Sequence, residues 1–169
     1  MLVLKNGNVM TMAGPAFVGD VAIENGKIVA VGQSLSYSDA EVRDVTGMTV
    51  MPGIVDPHCH IGMWEDAMGF EGADGNECTN PITPELRAMD AINPYDRCFE
   101  EAAAGGVTTC VTGPGSANVI GGQFVAIKTY GDSVDDMVLR FPVAVKAAFG
   151  ENPKRVYNGK NQTPSTRMA

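Results

Sequence analysis

Apolar and polar residues alternate over short distances in the first fifty residues, which predicts β-strands joined by tight turns. Apolar runs at residues 2–4 and 9–12 flank the polar segment at residues 5–8, and residues 41–45 form another candidate strand. Asn25-Gly26 separates two runs rich in Val and Ile. This dipeptide is typical of a type I′ hairpin turn, in which both central residues need positive φ.

The pattern changes near residue 49, where a longer apolar run predicts a buried strand over residues 49–56 that ends in Pro-His-Cys-His. A polar stretch follows, from about residue 62 to residue 93. Segments of this length without regular structure are uncommon in compact domains and usually carry function, for example as lids.

The remaining residues predict alternating helices and strands. Asn93 as cap and Pro94 at the first position predict a helix over residues 95–104, which Gly105-Gly106 would end. We then expect a strand at 107–112, a turn-rich loop at 113–122, a short helix around 134–139, a third apolar run at 142–149 and a polar tail. This alternation favours an α/β fold with parallel strands and right-handed crossovers.

Composition excludes several classes of partner. The formal net charge is -8 and the pI about 4.6, so nucleic acid and anionic membrane are not expected partners. The apolar runs are too short for a secretory signal or a membrane span. The four cysteines contain no CxxC pair, which argues against a structural zinc site of that kind. We therefore expect a cytoplasmic protein with free thiols, and Cys110, in an apolar run, should lie in the core.

Both histidines of the chain, His58 and His60, stand where the predicted strand at 49–56 gives way to a Gly-rich loop. Residues i and i+2 of a strand share a face, so Asp56, His58 and His60 should project together. Two adjacent imidazoles form half of a site for zinc, iron or nickel. A nearby carboxylate can hold a ligand histidine in the required tautomer, and Asp56 is placed for this. The alternative is a chance pair of surface or core histidines.

The run from Val50 to Gly62, with Pro-Gly, an apolar pair, Asp and then His-x-His, resembles the first barrel strand of the amidohydrolase superfamily. The turn at Asn25-Gly26-Lys-Ile and the segment Ala104-Gly-Gly-Val-Thr-Thr are similar to that family's N-terminal sandwich and second barrel strand. Within the superfamily, the chain most resembles imidazolonepropionase-like and prolidase-like members. The resemblance implies a β-sandwich section at residues 1–50 and the first three βα units of a (β/α)₈ TIM-like barrel at residues 51–169, truncated in this chain.

The resemblance also implies a ligand set and a chemistry. His58 and His60 would hold a divalent metal, with zinc expected, and Glu151 would be a further ligand, although a solvated loop carboxylate explains it equally well. Other members use a carbamylated lysine, usually from the fourth strand, which makes Lys146 a second choice. Further histidines and a catalytic Asp would come from later strands outside this chain. Ser116 and Asn118 could contact the substrate, with plain turn chemistry as the alternative.

Three functions follow as hypotheses. In the first, the complete protein hydrolyses a C–N bond in a cyclic amide or peptide-like small molecule by metal-activated water, and this chain alone is inactive. In the second, the chain is a catalytically inert fragment that folds and self-associates, as a homo-oligomer or by strand exchange, and binds metal weakly or not at all. In the third, the histidines have no role and the chain is a metal-free β-rich interaction module.

Overall fold

The computed structural model describes residues 1–66 and 68–169 and divides the chain into two compact units, Met1–Pro52 and Gly53–Ala169. Within the described residues, no helix is long and apolar enough to cross a membrane. All four cysteines are free thiols, and Cys110 is buried, as predicted.

The first unit is built from strands β1 to β5. Their bounds are Leu2–Val9, Phe17–Glu24, Lys27–Gly32, Glu41–Asp44 and Thr49–Val50. They form one mixed sheet in the order β3-β2-β1-β4, with β5 also paired to β1. The described residues of this unit therefore make one layer, and the second layer that a sandwich requires is not among them.

Two turns of this unit differ in how well the sequence predicted them. The hairpin between β2 and β3 is confirmed, with Asn25 at φ 50° and Gly26 at φ 72°. The predicted turn at residues 5–8 is wrong, because β1 continues through it. The pairing with β2 shifts register between Leu4 and Gly7, and Asn6 takes φ 63°. A β-bulge accommodates these polar residues, so the strand continues past them.

The second unit contains strands β6 to β9 and helices α1 to α3. The strands are Ile54–Cys59, Val107–Thr112, Ile120–Lys128 and Val138–Ala147, and the helices are Arg97–Ala104, Val134–Met137 and Glu151–Asn158. Short 3₁₀ helices at Gly69–Gly72 and Ala88–Asp90 lie in the long polar stretch, which includes Ala67, outside the described residues. The core includes Met63, Phe99, Cys110, Val125 and Ile127.

The sheet of the second unit runs β6-β7-β8-β9, and its pairing corrects the all-parallel expectation. β6 and β7 are parallel, whereas β8 is antiparallel to both β7 and β9. The three predicted strands therefore point in one direction, but β8 lies between the second and third. Residues 120–122, predicted as loop, begin this strand, and the apolar run at 124–127 that follows is a strand signal our interpretation omitted.

Several predicted boundaries also move. The run at 49–56 splits, because β5 belongs to the first sheet and β6 to the second. Helix α1 begins at Arg97 with Asp96 as its cap, since the Asp96 carboxylate accepts from the Cys98 N–H at 3.2 Å. Asn93 instead caps a preceding turn by accepting from the Tyr95 N–H. The tail predicted as polar coil contains α3.

Candidate metal centre

The two histidines lie at the carboxyl end of β6, as the sequence predicted. Their ring centroids are 5.5 Å apart, and the ring planes are inclined at 80°. Cys59 between them points the other way, with its thiol 3.7 Å from the Val111 carbonyl oxygen and its side chain packed against the core. The strand alternation therefore places both imidazoles on one face, where neighbouring elements determine their orientation.

His60 is fixed by the backbone that follows β7. Its Nδ1 atom lies 2.6 Å from the carbonyl oxygen of Gly113. Because a carbonyl oxygen only accepts hydrogen bonds, Nδ1 carries the proton and donates it. The lone pair of Nε2 is then able to bind a metal. The indole of Trp64 packs edge-on against the same imidazole, with centroids 5.4 Å apart.

His58 meets side chains from β8 and β9. Its Nε2 atom is 3.3 Å from Nζ of Lys146, and its ring makes an edge-to-face contact with Phe124 at 5.4 Å between centroids. Lys146 is only 8% exposed, and burial lowers the pKa of its ammonium group below the ordinary value. A buried amine beside an imidazole nitrogen places a third potential ligand at the histidine pair.

Asp56, predicted to orient a histidine ring, bonds to a different group in this structure. Its carboxylate accepts from the backbone N–H of His58 at 3.1 Å, so it bonds the main chain and does not hold a ring. The Gly113 carbonyl supplies the orienting contact to His60 instead. Every residue has a backbone carbonyl, so the identity of Gly113 does not indicate this contact. The sequence therefore pointed to the nearest carboxylate instead.

Glu151 is also placed differently from the expectation. It is the first residue of α3, is exposed, and pairs with Lys154 at 3.4 Å. Across the described residues, no three His, Cys, Asp or Glu side chains converge in a way that could hold a metal. The structure therefore brings Lys146, and not Glu151, to the histidines.

The two residues proposed to contact substrate lie in the loop after β7. Ser116 is half-buried, whereas Asn118 is 4% exposed. Both ends of the Asn118 amide are engaged: its NH₂ donates to the Thr83 hydroxyl at 2.7 Å, and its oxygen accepts from the Tyr157 hydroxyl at 2.5 Å. A side chain with both ends bonded inside the protein holds the loop in place.

A cavity of about 830 Å³ opens beside this loop and the long polar stretch. Thr83 and Asn118 contribute to its wall, and most of its charged lining is acidic. The guanidinium of Arg87 is paired with Asp90 at 2.6 Å. His58 and His60 do not line this cavity, so the cavity does not contain the histidine pair.

Cys59, which lies between the two histidines in sequence, points to the opposite face of the strand. The neighbouring Cys110 thiol lowers the pKa of Cys59 below its ordinary value, although burial acts in the opposite direction. The same contact and burial raise the pKa of Cys110 above its ordinary value. Both side chains belong to the packed interior beneath the histidines, with Cys110 2% exposed.

The donor set fits a divalent metal in part. Two imidazoles and a lysine amine are nitrogen donors of the kind that zinc, nickel and cobalt accept. Carbamylation of Lys146 would replace its amine with a carboxylate donor. The orientation of His60 by a carbonyl matches the way in which metal-binding histidines are usually held. His58, His60 and Lys146 are therefore the residues that could hold one side of a metal ion.

Comparison with known proteins gives a consistent picture. No family model matches the chain. The crystal structure of an amidohydrolase from Thermotoga maritima superimposes with a TM-score of 0.95 and 46% identity, covering 99% of this chain and 44% of that one. An amidohydrolase of Hapsidospora irregularis is 35% identical over 90% of this chain and 17% of its own length. An allantoinase of Enterococcus faecalis is 52% identical over 60 residues, 36% of this chain and 13% of its own.

The chain therefore has a mixed α/β fold with two histidines at the end of a strand, and its relatives are amidohydrolases. The chain belongs to the amidohydrolase superfamily, and it matches the N-terminal portion of the family's members. It spans less than half the length of the relatives described above.

Proposed function

We propose that this chain forms the N-terminal part of the active site of an enzyme that hydrolyses a C–N bond in a small cyclic amide. The carrying observation is the histidine pair, with ring centroids 5.5 Å apart and Nδ1 of His60 held by Gly113. Relatives named allantoinase and D-hydantoinase support an amide-type substrate.

In this proposal His58 and His60 hold a divalent metal, with zinc expected, and Lys146 is the third residue of this chain at the centre. When bound, such a metal supplies a water nucleophile at neutral pH and polarises an amide carbonyl. The chain's own residues orient the site. Gly113 fixes the proton of His60 on Nδ1, and Trp64 packs against one side of that imidazole.

The test is the metal content of the purified chain, measured by elemental analysis beside a His58→Ala/His60→Ala double variant. We expect bound metal in the unmodified chain and its loss in the variant. Lys154→Ala is the matched control, because Lys154 belongs to the α3 surface and pairs with Glu151. Equal metal content in the unmodified chain and the double variant would contradict the proposal.

A second candidate function is self-association of this chain, which the edges of its second sheet favour. β6 and β9 are the end strands of the sheet in the described residues. Ile54 and Val55 on β6, and Leu139 and Val145 on β9, are each about half exposed. Unpaired edges with apolar side chains promote pairing between copies. Sedimentation velocity over a range of concentrations tests this, and a concentration-independent monomer would exclude it.

A further inference from the structure

Phe124 lies beside His58, Lys146 and Gly113, on the strand that the sequence did not predict. It belongs to β8 and is 5% exposed. Its ring packs edge-to-face on His58 at 5.4 Å between centroids and inclined at 80°. The Nζ atom of Lys146 lies 5.9 Å from the same ring centroid. One buried ring thus adjoins two of the three proposed metal-site residues.

Phe124 influences the third residue, His60, through the backbone of Gly113. A Cβ atom at Gly113 would lie 2.2 Å from the Phe124 ring, so the ring rests directly against the glycine. The carbonyl of Gly113 accepts from Nδ1 of His60 at 2.6 Å. The position of the ring therefore determines where the Gly113 peptide can lie, and this peptide orients His60.

The pairing of β8 with both neighbouring strands explains how Phe124 reaches these residues. Phe124 pairs with Ala144 on β9, and its neighbour Val125 pairs with Thr112 on β7. Thr112 directly precedes Gly113, and Lys146 is two residues beyond Ala144, on the same face of its strand. An antiparallel strand inserted between β7 and β9 thereby presents one side chain to both neighbours.

We propose that Phe124 is a positioning residue that holds both imidazoles in the orientation needed to bind metal. The proposal rests on the proposed function, in that the ligand is a divalent metal. The edge-to-face contact restricts rotation of the His58 ring, because aromatic pairs prefer a limited set of geometries. The contact with Gly113 maintains the tautomer of His60. Substitution of residues that orient metal-binding histidines weakens metal affinity roughly 10- to 100-fold.

Phe124→Leu is the informative variant, since it keeps an apolar side chain and removes the ring. Co²⁺ affinity is measured by quenching of Trp64, the one tryptophan of the chain, whose indole adjoins His60. We expect the dissociation constant for Co²⁺ to rise roughly tenfold. Ile127→Val is the matched control, because Ile127 lies on the same strand and is fully buried in the core. It should leave the dissociation constant unchanged.

A second measurement separates positioning from a loss of stability. The chain has two histidines, so its imidazole ¹⁵N spectrum contains two rings. In the metal-free chain we expect His60 to show the Nδ1–H tautomer, and His58 protons to carry a ring-current shift from Phe124. Both signatures should be lost in Phe124→Leu and kept in Ile127→Val.

Unchanged Co²⁺ affinity and unchanged imidazole spectra in Phe124→Leu would overturn the proposal, as would equal effects from Ile127→Val. If the unmodified chain binds no Co²⁺, the proposed function fails, and the imidazole spectra still decide whether Phe124 positions the histidines.

Discussion

Nζ of Lys146 lies 3.3 Å from Nε2 of His58, although 88 residues separate the two in the chain. The contact joins β9 to the end of β6 across a sheet in which β7 and β8 lie between them. It brings to His58 the lysine that the sequence ranked below Glu151 as a candidate ligand. Lysine amines that bind CO₂ release a proton and become carbamates, which are carboxylate ligands.

The first prediction concerns that choice of ligand. Lys146→Met keeps an unbranched buried side chain but removes the amine, and we expect metal affinity to fall by at least about tenfold. Glu151→Gln should leave affinity unchanged, because Glu151 is exposed and pairs with Lys154. Equilibrium dialysis with Zn²⁺, with and without bicarbonate, measures both. The reverse order of effects would restore Glu151 as the ligand.

The second prediction concerns Gly113. A methyl group there would overlap the Phe124 ring, so Gly113→Ala should lower the free energy of unfolding by about 1–3 kcal/mol. Displacement of the Gly113 carbonyl should also weaken metal binding by His60. Urea unfolding and a Co²⁺ titration measure the two effects. Gly105→Ala is the control, since Gly105 ends α1 at φ -76°, a conformation open to alanine.

The third prediction concerns Trp64. Gly75 leaves room for the indole, because a Cβ atom there would lie 1.9 Å from it. Gly75→Ala should therefore displace Trp64 from His60 and shift its fluorescence emission to longer wavelength as the indole becomes more solvated. Gly150→Ala, where a Cβ would meet nothing within 4 Å, should leave the emission unchanged. An unshifted spectrum in Gly75→Ala would show that the indole does not pack there.

The fourth prediction concerns the buried amide of Asn118. Tyr157→Phe removes the hydroxyl that donates to the Asn118 oxygen. This leaves a buried acceptor without a partner, which costs about 1–3 kcal/mol of unfolding free energy. Tyr130→Phe, at a position 84% exposed, should have no measurable effect. Thermal and urea unfolding of both variants tests whether Asn118 stabilises the loop.

The fifth prediction concerns pH and the first unit. Burial raises the pKa of Asp20, but hydrogen bonds from Lys5 and from the N–H groups of Asn6 and Leu35 outweigh it, and the pKa lies below 3.8. A carboxyl whose pKa is lower in the folded state stabilises the fold above its unfolded pKa. This stabilisation should disappear as the pH falls below 3.8 towards the folded pKa.

Asp20→Asn tests this, since it should lower the free energy of unfolding at pH 7 by about 1–3 kcal/mol. The difference from the unmodified chain should shrink at pH 3. Urea unfolding followed by circular dichroism measures it at both pH values. Asp39→Asn, at an exposed position, should change the free energy by less than about 0.5 kcal/mol at either pH.

Local sequence determined the features that depend on neighbouring residues. The Asn25-Gly26 hairpin follows from the ease with which these residues take positive φ. Gly105-Gly106 ends α1 for a related reason, with Gly106 at φ 84°. The alternation of side chains along β6 placed His58 and His60 together, and the motif around them identified the superfamily.

Tertiary structure decided the surroundings of that pair. Lys146 and Phe124 reach His58 only because β8 inserts antiparallel between β7 and β9, and strand order is set by pairing between distant segments. The carbonyl that orients His60 belongs to Gly113, and every residue has a carbonyl, so residue type could not indicate it. Sequence specified the two histidines of the proposed metal site, whereas long-range packing selected the groups that contact them.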